Sequence, residues 1–312
     1  MNIKSLNIRT MKQTIITIFL LSTLAAHAQI MHVTDVQRLT VPSEENTITQ
    51  AVAISPQGDY LLLSTDTKKG LVKWDFESAN ATTLTLDEGA GSDVCISDDG
   101  RQVVYSQVSY KNKKRHQAVN AIDLNNGKRR SLVKATRHLQ GYTLDKATAA
   151  VMKDGNLSLH ALDGKKTDLT RPVLSHYHLK LYVTKDGVTT QLSPNGVDEN
   201  YIWSSLSPDG NRVLYYVSGH GTYVCNIDGT NVIAMGDLTA PRWWDDNTIV
   251  GMNEVDDEYS IIASSIVVRT LDGAEQVLTG DDVIATYPLP SSQSGKIAFS
   301  TPDGRVYLIM VE

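Results

Sequence analysis

The stretch "SLSPDGNRVLYYV" at 205–217 decides how the rest of the chain is read. An alternating run leads into Ser207-Pro208-Asp209-Gly210, and an apolar run follows from Val213 to Val217. That is strand, tight turn, strand. Gly accepts the positive φ such a turn needs, and Asp holds it by hydrogen bonds from its side chain to nearby amides. The same statement recurs. "ISPQGDYLLLS" carries Gly58, "ISDDGRQVVYS" carries Gly100, and "PSSQSGKIAFS" carries Gly295 as a weaker copy. "RWWDDNTIVGM" places Asn247 at the equivalent position. A pattern returning at intervals of about forty residues marks a repeat architecture.

Each unit has a second half. "LHALDGKKTDLT" (159–170), "LYVTKDGVTTQLS" (181–193), "YVCNIDGTNVIAM" (223–235) and "VVRTLDGAEQVLT" (267–279) each read as strand, Asp-Gly turn, strand. A full unit is therefore four antiparallel strands, and radial repetition of such units is a β-propeller, an all-β fold. "GKIAFSTPDGRVYLIMVE" supplies only the second and third strands of a final unit. "VTDVQRLTV" (33–41) reads like the missing outer strand, so an N-terminal strand is expected to close the ring and cover an open sheet edge. Gly58 and Gly100 lie 42 residues apart and Gly210 and Gly295 lie 85 apart, but Gly100 and Gly210 lie 110 apart. The last interval is neither two nor three units. Six blades are expected, with 171–196 as an extension of the third, and seven is the alternative.

The first residues differ from all of this. Lys4, Arg9 and Lys12 precede the apolar run "TIITIFLLSTLAA", which ends at Ala26-His27-Ala28. That order describes a signal peptide over 1–28 cleaved before Gln29, with a single propeller domain over 29–312. The mature protein is expected in the periplasm or outside the cell, with no membrane span after cleavage. Net charge is −6 and the isoelectric point about 5.8, which offers no general attraction to nucleic acid. Two cysteines, Cys95 and Cys225, sit in apolar strand patterns of different repeats and are expected to be buried free thiols.

"SPDGNRVLYY", the hairpin "NIDGTN" and the flanking "YIWSSLSPDG" resemble the WD40-like (PD40) repeat of the TolB-type propeller family. The resemblance covers the mature chain unevenly and is best over 198–236. It implies a stand-alone extracytoplasmic propeller and leaves function open, because propellers host binding modules and enzymes alike. Asp98, Asp99, Asp209 and Asp228 form a carboxylate set on paper, and the turn role accounts for each of them.

Function is sought on the face opposite the Asp-Gly turns, where the connections vary: "TDTKKG" (65–70), "QVSYKNKKRHQ" (107–117), "SGHG" (218–221) and "NEVDDEYS" (253–260). Lys111, Lys113, Lys114 and Arg115 make a basic tongue beside Tyr110 and His116, and Asp256, Asp257 and Glu258 an acidic one. Among Trp203, Trp243 and Trp244 on first strands, Trp243 matches the family's structural tryptophan, and Trp244 is the candidate for ligand stacking. These residues point to a protein-binding or scaffolding module without catalysis or cofactor, whose partner is an envelope or extracellular protein or, less simply, a glycan or peptide. The alternative is a metal-assisted carbohydrate lyase or hydrolase. A lyase family with a related propeller holds a metal through histidines, and His176 and His178 in "SHYHLK" would share one side of a strand, with His220 as a further ligand. No P-loop, dinucleotide fingerprint or G-x-S-x-G is present.

Overall fold

The computed structural model describes residues 29–42, 47–167 and 169–312. The proposed signal stretch 1–28 lies outside the described residues. The strands form seven antiparallel sheets.

The chain begins on the outside of the last sheet with β1 (Val33–Leu39). Blade 1 is β2 (Thr49–Ile54), β3 (Tyr60–Thr65), β4 (Leu71–Asp75) and β5 (Ala81–Thr85). Blade 2 is β6 (Cys95–Ile96), β7 (Gln102–Lys111), β8 (Lys114–Asp123) and β9 (Arg129–Thr136). Blade 3 has three strands, β10 (Leu139–Asp145), β11 (Thr148–Lys153) and β12 (Asn156–Ala161). Blade 4 also has three, β13 (Val173–Tyr177), β14 (Lys180–Lys185) and β15 (Val188–Leu192). Blade 5 is β16 (Tyr201–Leu206), β17 (Arg212–Val217), β18 (Gly221–Asn226) and β19 (Ile233–Gly236). Blade 6 is β20 (Thr239–Trp243), β21 (Thr248–Asp256), β22 (Ile261–Thr270) and β23 (Glu275–Val277). Blade 7 is β24 (Thr286–Ser291), β25 (Lys296–Ser300) and β26 (Val306–Val311), completed by β1, which pairs with β26 from Val33↔Val311 to Leu39↔Val306.

The ring thus closes through the N-terminal strand as expected, but with seven blades rather than six. The 110-residue interval between Gly100 and Gly210 is three units with two strands left out. Blade 3 stops after β12, and the stretch 163–170 read as its hairpin return forms no strand among its described residues. Blade 4 lacks the strand that would run first. The direction of β13 shows this. Its start follows Arg171, whose side chain lies against Gly210 in a first-to-second-strand turn. Its end reaches Leu179, whose carbonyl accepts from the Tyr201 amide at the start of β16. A first strand runs the opposite way, so β13 is a second strand occupying the innermost place.

The repeated turn explains itself at atomic detail. Ser55, Ser97 and Ser207 are all buried. Each hydroxyl donates to the turn carboxylate, Ser55 to Asp59 at 2.5 Å, Ser97 to Asp99 at 2.6 Å and Ser207 to Asp209 at 2.5 Å. Each also accepts from an amide opening the second strand, from Tyr60 at 3.1 Å, Gln102 at 2.9 Å and Arg212 at 2.9 Å. The Asp209 carboxyl is held down at about 2, chiefly by the Ser207 bond. The turns then bond to one another around the lower face. Gln57 donates to the Asp98 carbonyl (2.7 Å), the Asp209 amide to the Asp246 carboxylate (2.8 Å), and Lys296 to the Gly58 carbonyl (2.6 Å). At these three junctions the turn of one blade latches onto the turn of the next.

Between neighbouring blades lie seven apolar clusters, one per junction. The largest joins blade 6 (Val250, Met252, Ile266, Val268) to blade 7 (Ile297, Phe299, Ile309). Middle strands such as β3, β11 and β25 are buried along nearly their whole length, because both faces of each blade are covered by another blade.

Candidate active site

The innermost strands, β2, β6, β10, β13, β16, β20 and β24, surround the central channel. Five of them carry a break in register with their neighbour: between Ala51 and Ala53, Leu139 and Gly141, Ile202 and Ser205, Thr239 and Arg242, and Thr286 and Leu289. On blades 5, 6 and 7 the bulge puts a residue other than glycine in the left-handed region, Trp203 (φ 50), Ala240 (φ 47) and Tyr287 (φ 54). Such conformations cost free energy and gather at functional sites, where a bulge redirects a side chain. Two of the three are aromatic and exposed, Trp203 at 37 % and Tyr287 at 43 %.

Arg242 on β20 is the centre of the site. Its surface is exposed to solvent, yet protein surrounds it, the condition of a side chain in a channel. This desolvation lowers its pKa, and the charges of Asp93 and Cys95 oppose the shift. Asp93 and Cys95 belong to blade 2 and the link before it, across the ring from blade 6. A guanidinium directed from blade 6 into the lumen accounts for both influences. Asp93 likewise acts on His176 of blade 4 and Tyr142 of blade 3. Five chemically active side chains from the innermost elements of four blades therefore converge on one volume. Among the described residues the Arg242 guanidinium makes no hydrogen bond or ion pair.

The neighbours have defined states. Burial lowers the His176 pKa, against the pull of Asp93, so the imidazole is neutral at neutral pH. Its Nε2 lies 3.0 Å from Ser204 Oγ. Burial, with Cys95 and Asp93, drives the Tyr142 phenol well above its ordinary value, so it stays protonated, and it donates to the Asp93 carbonyl. Burial and Asp93 push the Cys95 thiol up to about 12, which leaves it a poor nucleophile. Cys95 is only half-buried and lines the channel, unlike the buried Cys225; both are free.

The lower end of the channel is crossed by the link between blades 3 and 4. Arg171 reaches the Asp98 carboxylate of blade 2 at 4.0 Å and the Pro208 carbonyl of blade 5 at 3.5 Å. It is anchored by Asp145, which is buried and accepts from the Thr170 amide (2.6 Å), the Thr170 hydroxyl (2.9 Å) and the Arg171 amide (3.1 Å) and Nε (3.2 Å). The site therefore opens towards the upper face, which carries the variable hairpins.

The histidine trio does not assemble. His176 lies one residue before the end of β13, facing Ser204, whereas His178 and Leu179 form a two-residue turn with φ of 49° and 61°. The alternation of a strand stops at Tyr177, so His178 does not share a side with His176; it stacks on Tyr177 at 4.1 Å. His220 stands in another exposed turn, its Nε2 3.7 Å from Glu199. Among the described residues no three His, Cys, Asp or Glu side chains are grouped to hold a metal ion, so His176, His178 and His220 do not form the donor set that the alternative placed on them. Trp243 is half-buried and donates from Nε1 to the Ser205 carbonyl at 3.3 Å. Trp244 is also half-buried, packed against the junction of blades 6 and 7, and Trp203 is the more exposed tryptophan. Tyr110, Lys111, Lys113, Lys114 and Arg115 lie exposed on the β7–β8 hairpin, and Asp256, Asp257 and Glu258 on the β21–β22 hairpin. Neither hairpin contributes to the channel cluster.

Sequence reading missed Asp93, Tyr142 and Arg242. One signal was there. Five residues before the turn Gly or Asn, the copies carry Ala53, Cys95, Ser205 and Pro290, and the fifth carries Arg242. A lone charge at a position otherwise small or apolar is unexplained by the turn.

No protein-family profile matches the chain, and no curated protein does. Solved structures do match. An oligogalacturonate lyase in complex with manganese is 14% identical, covering 83% of this chain and 76% of that one at a TM-score of 0.49. The oligogalacturonate lyase of Vibrio parahaemolyticus is 13% identical, covering 90% and 97% at 0.47. A chain of the mitotic checkpoint complex is 11% identical, covering 99% and 98% at 0.53. At these identities the likeness is one of fold: the protein is a seven-bladed β-propeller. The expectation of a binding or scaffolding module without catalysis is corrected on the channel: Arg242, His176 and Tyr142 gather away from both hairpins on which that expectation rested. Among the described residues no helix is long and apolar enough to cross a membrane.

Proposed function

We propose that the protein is an enzyme of acidic carbohydrates, with the central channel as its active site. The observation that carries this reading is Arg242, a cation held among protein atoms in the channel with no partner for its guanidinium. An unpaired charge in such a place is costly, and a substrate carboxylate offers the bidentate partner that the guanidinium geometry prefers. Trp203 and Tyr287 supply flat apolar surfaces of the kind that stack on sugar rings. Arg242 neutralises the carboxylate and so acidifies the carbon-bound proton beside it. Neutral His176 takes that proton as the general base, the carbon–oxygen bond to the leaving sugar breaks, and Tyr142 returns a proton to the leaving oxygen. Ser204 orients the imidazole.

The repeat is read as the TolB type, on its Ser-x-Asp-Gly turns and paired hairpins. The order of charged, apolar and small residues in 1–28 supports export, which would place the enzyme where polymeric sugars are met.

The test is a panel of uronic-acid oligosaccharides, followed by the ultraviolet absorbance of the unsaturated product. Arg242→Ala is expected to lower kcat/KM by about 100-fold or more, with the circular dichroism spectrum unchanged. Absence of turnover on every acidic sugar, with equal sugar binding by wild type and Arg242→Ala in calorimetry, would falsify the reading.

A further inference from the structure

Two upper-face hairpins depart from the rest. The middle strands β7 and β8 of blade 2 have 10 residues each, and β21 and β22 of blade 6 have 9 and 10. Their counterparts in blades 1, 5 and 7 have 5 or 6. The overrun of about four residues lifts each tip roughly 13 Å above the face. Both are ordered ribbons, paired as far as Lys111↔Lys114 and Asp256↔Ile261.

Their chemistry is complementary. The blade 2 tip presents Lys111, Lys113, Lys114 and Arg115, and the blade 6 tip Asp256, Asp257 and Glu258, all exposed. Each tip also exposes large apolar surface, Tyr110 at 72 % on one and Tyr259 at 93 %, with Val255 and Ile262, on the other. Protruding apolar residues set among unpaired charge mark a contact surface. The two tips cannot meet within one molecule. Blades 1 and 7 separate them on one side of the ring, and blades 3, 4 and 5 on the other.

An anionic polymer would engage the basic tip and be repelled by the acidic one. A second copy of this chain satisfies both. Place two rings upper face to upper face, about a two-fold axis that lies over blade 4 and passes between blades 1 and 7. That operation exchanges the positions of blades 2 and 6, so each basic tip meets an acidic tip twice over, the self-complementary arrangement that two-fold symmetry requires. Over blade 4 the hairpin is only the two-residue turn His178-Leu179, with the link 193–200 to β16 beside it, so no long hairpin stands on the axis. We propose that this chain forms a face-to-face dimer held by its two long hairpins. Contact at the tips holds the faces apart, so the channel mouths remain reachable from the side.

The test is sedimentation velocity of the mature protein over a range of concentrations, at low and at high salt. Reversible dimerisation is expected at low salt, weakened about tenfold or more at high salt. Two variants decide the matter. One carries Asp256→Lys, Asp257→Lys and Glu258→Lys and has two basic tips. The other carries Lys111→Glu, Lys113→Glu, Lys114→Glu and Arg115→Glu and has two acidic tips. Each alone is expected to stay monomeric, and an equimolar mixture to form the mixed dimer, which also shows that both variants are folded. A wild type that is monomeric throughout at low salt, or a dimer that survives in either variant alone, overturns the proposal.

Discussion

The junction between blades 6 and 7 and the junction between blades 3 and 4 both close the same ring, with very different material. Among the described residues the first gathers twelve buried apolar side chains, including Phe299, Met252, Ile266 and Ile309. The second gathers three, Ala150, Met152 and Val173. The poor junction is where each blade has lost a strand, so there is less sheet to cover. What it has instead is polar. Asp145 grips Thr170 and Arg171, and Arg171 reaches across to blades 2 and 5. A propeller can lose apolar area at one seam if a buried, fully bonded carboxylate fixes the crossing, because a satisfied polar network also specifies geometry.

The comparison can be broken at its strong end. Phe299→Ala removes a fully buried ring from the large junction and should cost about 4 kcal/mol, read as a shift in the urea midpoint. Met152→Ala at the small junction should cost about 2 kcal/mol, because fewer neighbours lose contact. Equal costs would show that the two seams share the load.

Asp145→Asn tests the polar substitute. Losing the charge-assisted bonds to Thr170 and Arg171 should cost about 2 kcal/mol and speed amide exchange over the residues leading into β13. Burial raises the Asp145 pKa, but the bonds from Thr170 and Arg171 outweigh it and leave the carboxyl below 3.8. Its contribution is therefore present above 3.8 and is lost as pH falls through the lower folded value. The variant should lack this acid-sensitive increment.

His176 sharpens the channel side of the comparison. Its folded pKa lies below 6.5, so the imidazole remains an effective base as pH falls past the value of a free histidine. The acid limb of the pH–kcat/KM profile should fall below 6.5 and vanish in His176→Ala. The same sign applies to folding: stability from the neutral imidazole is present above 6.5 and declines below it. The smallest effect is expected at the repeated turn. Asp209→Ala loses the Ser207 and Asn211 bonds at an exposed site and should cost under about 1 kcal/mol, measurable in the thermal midpoint.

Legibility followed the same division. The turns on Gly58, Gly100 and Gly210 were readable because a tight turn needs particular residues within a few positions. The closing strand 33–39 was readable because it copied the outer strands of other units. Blades 3 and 4 were misread because a missing strand leaves no residues to read, and "KKTDLT" looks like a strand whether or not a partner edge receives it. His176 and His178 were placed together by a strand period that ends at Tyr177. Asp93, Tyr142 and His176 carry no spacing, and Arg242 stands out only against its repeat copies, because each comes from a different element of the ring.

By itself the sequence determined an all-β ring of repeated four-strand units and its closure by the first strand. Those are local facts, written in turn chemistry and alternation of period two. The tertiary structure decided the number of blades, the reversed strand of blade 4 and the meeting of Arg242 with the far side of the ring. Ring closure brings side chains distant along the chain into one low-dielectric volume, and no local pattern encodes which ones will face each other there.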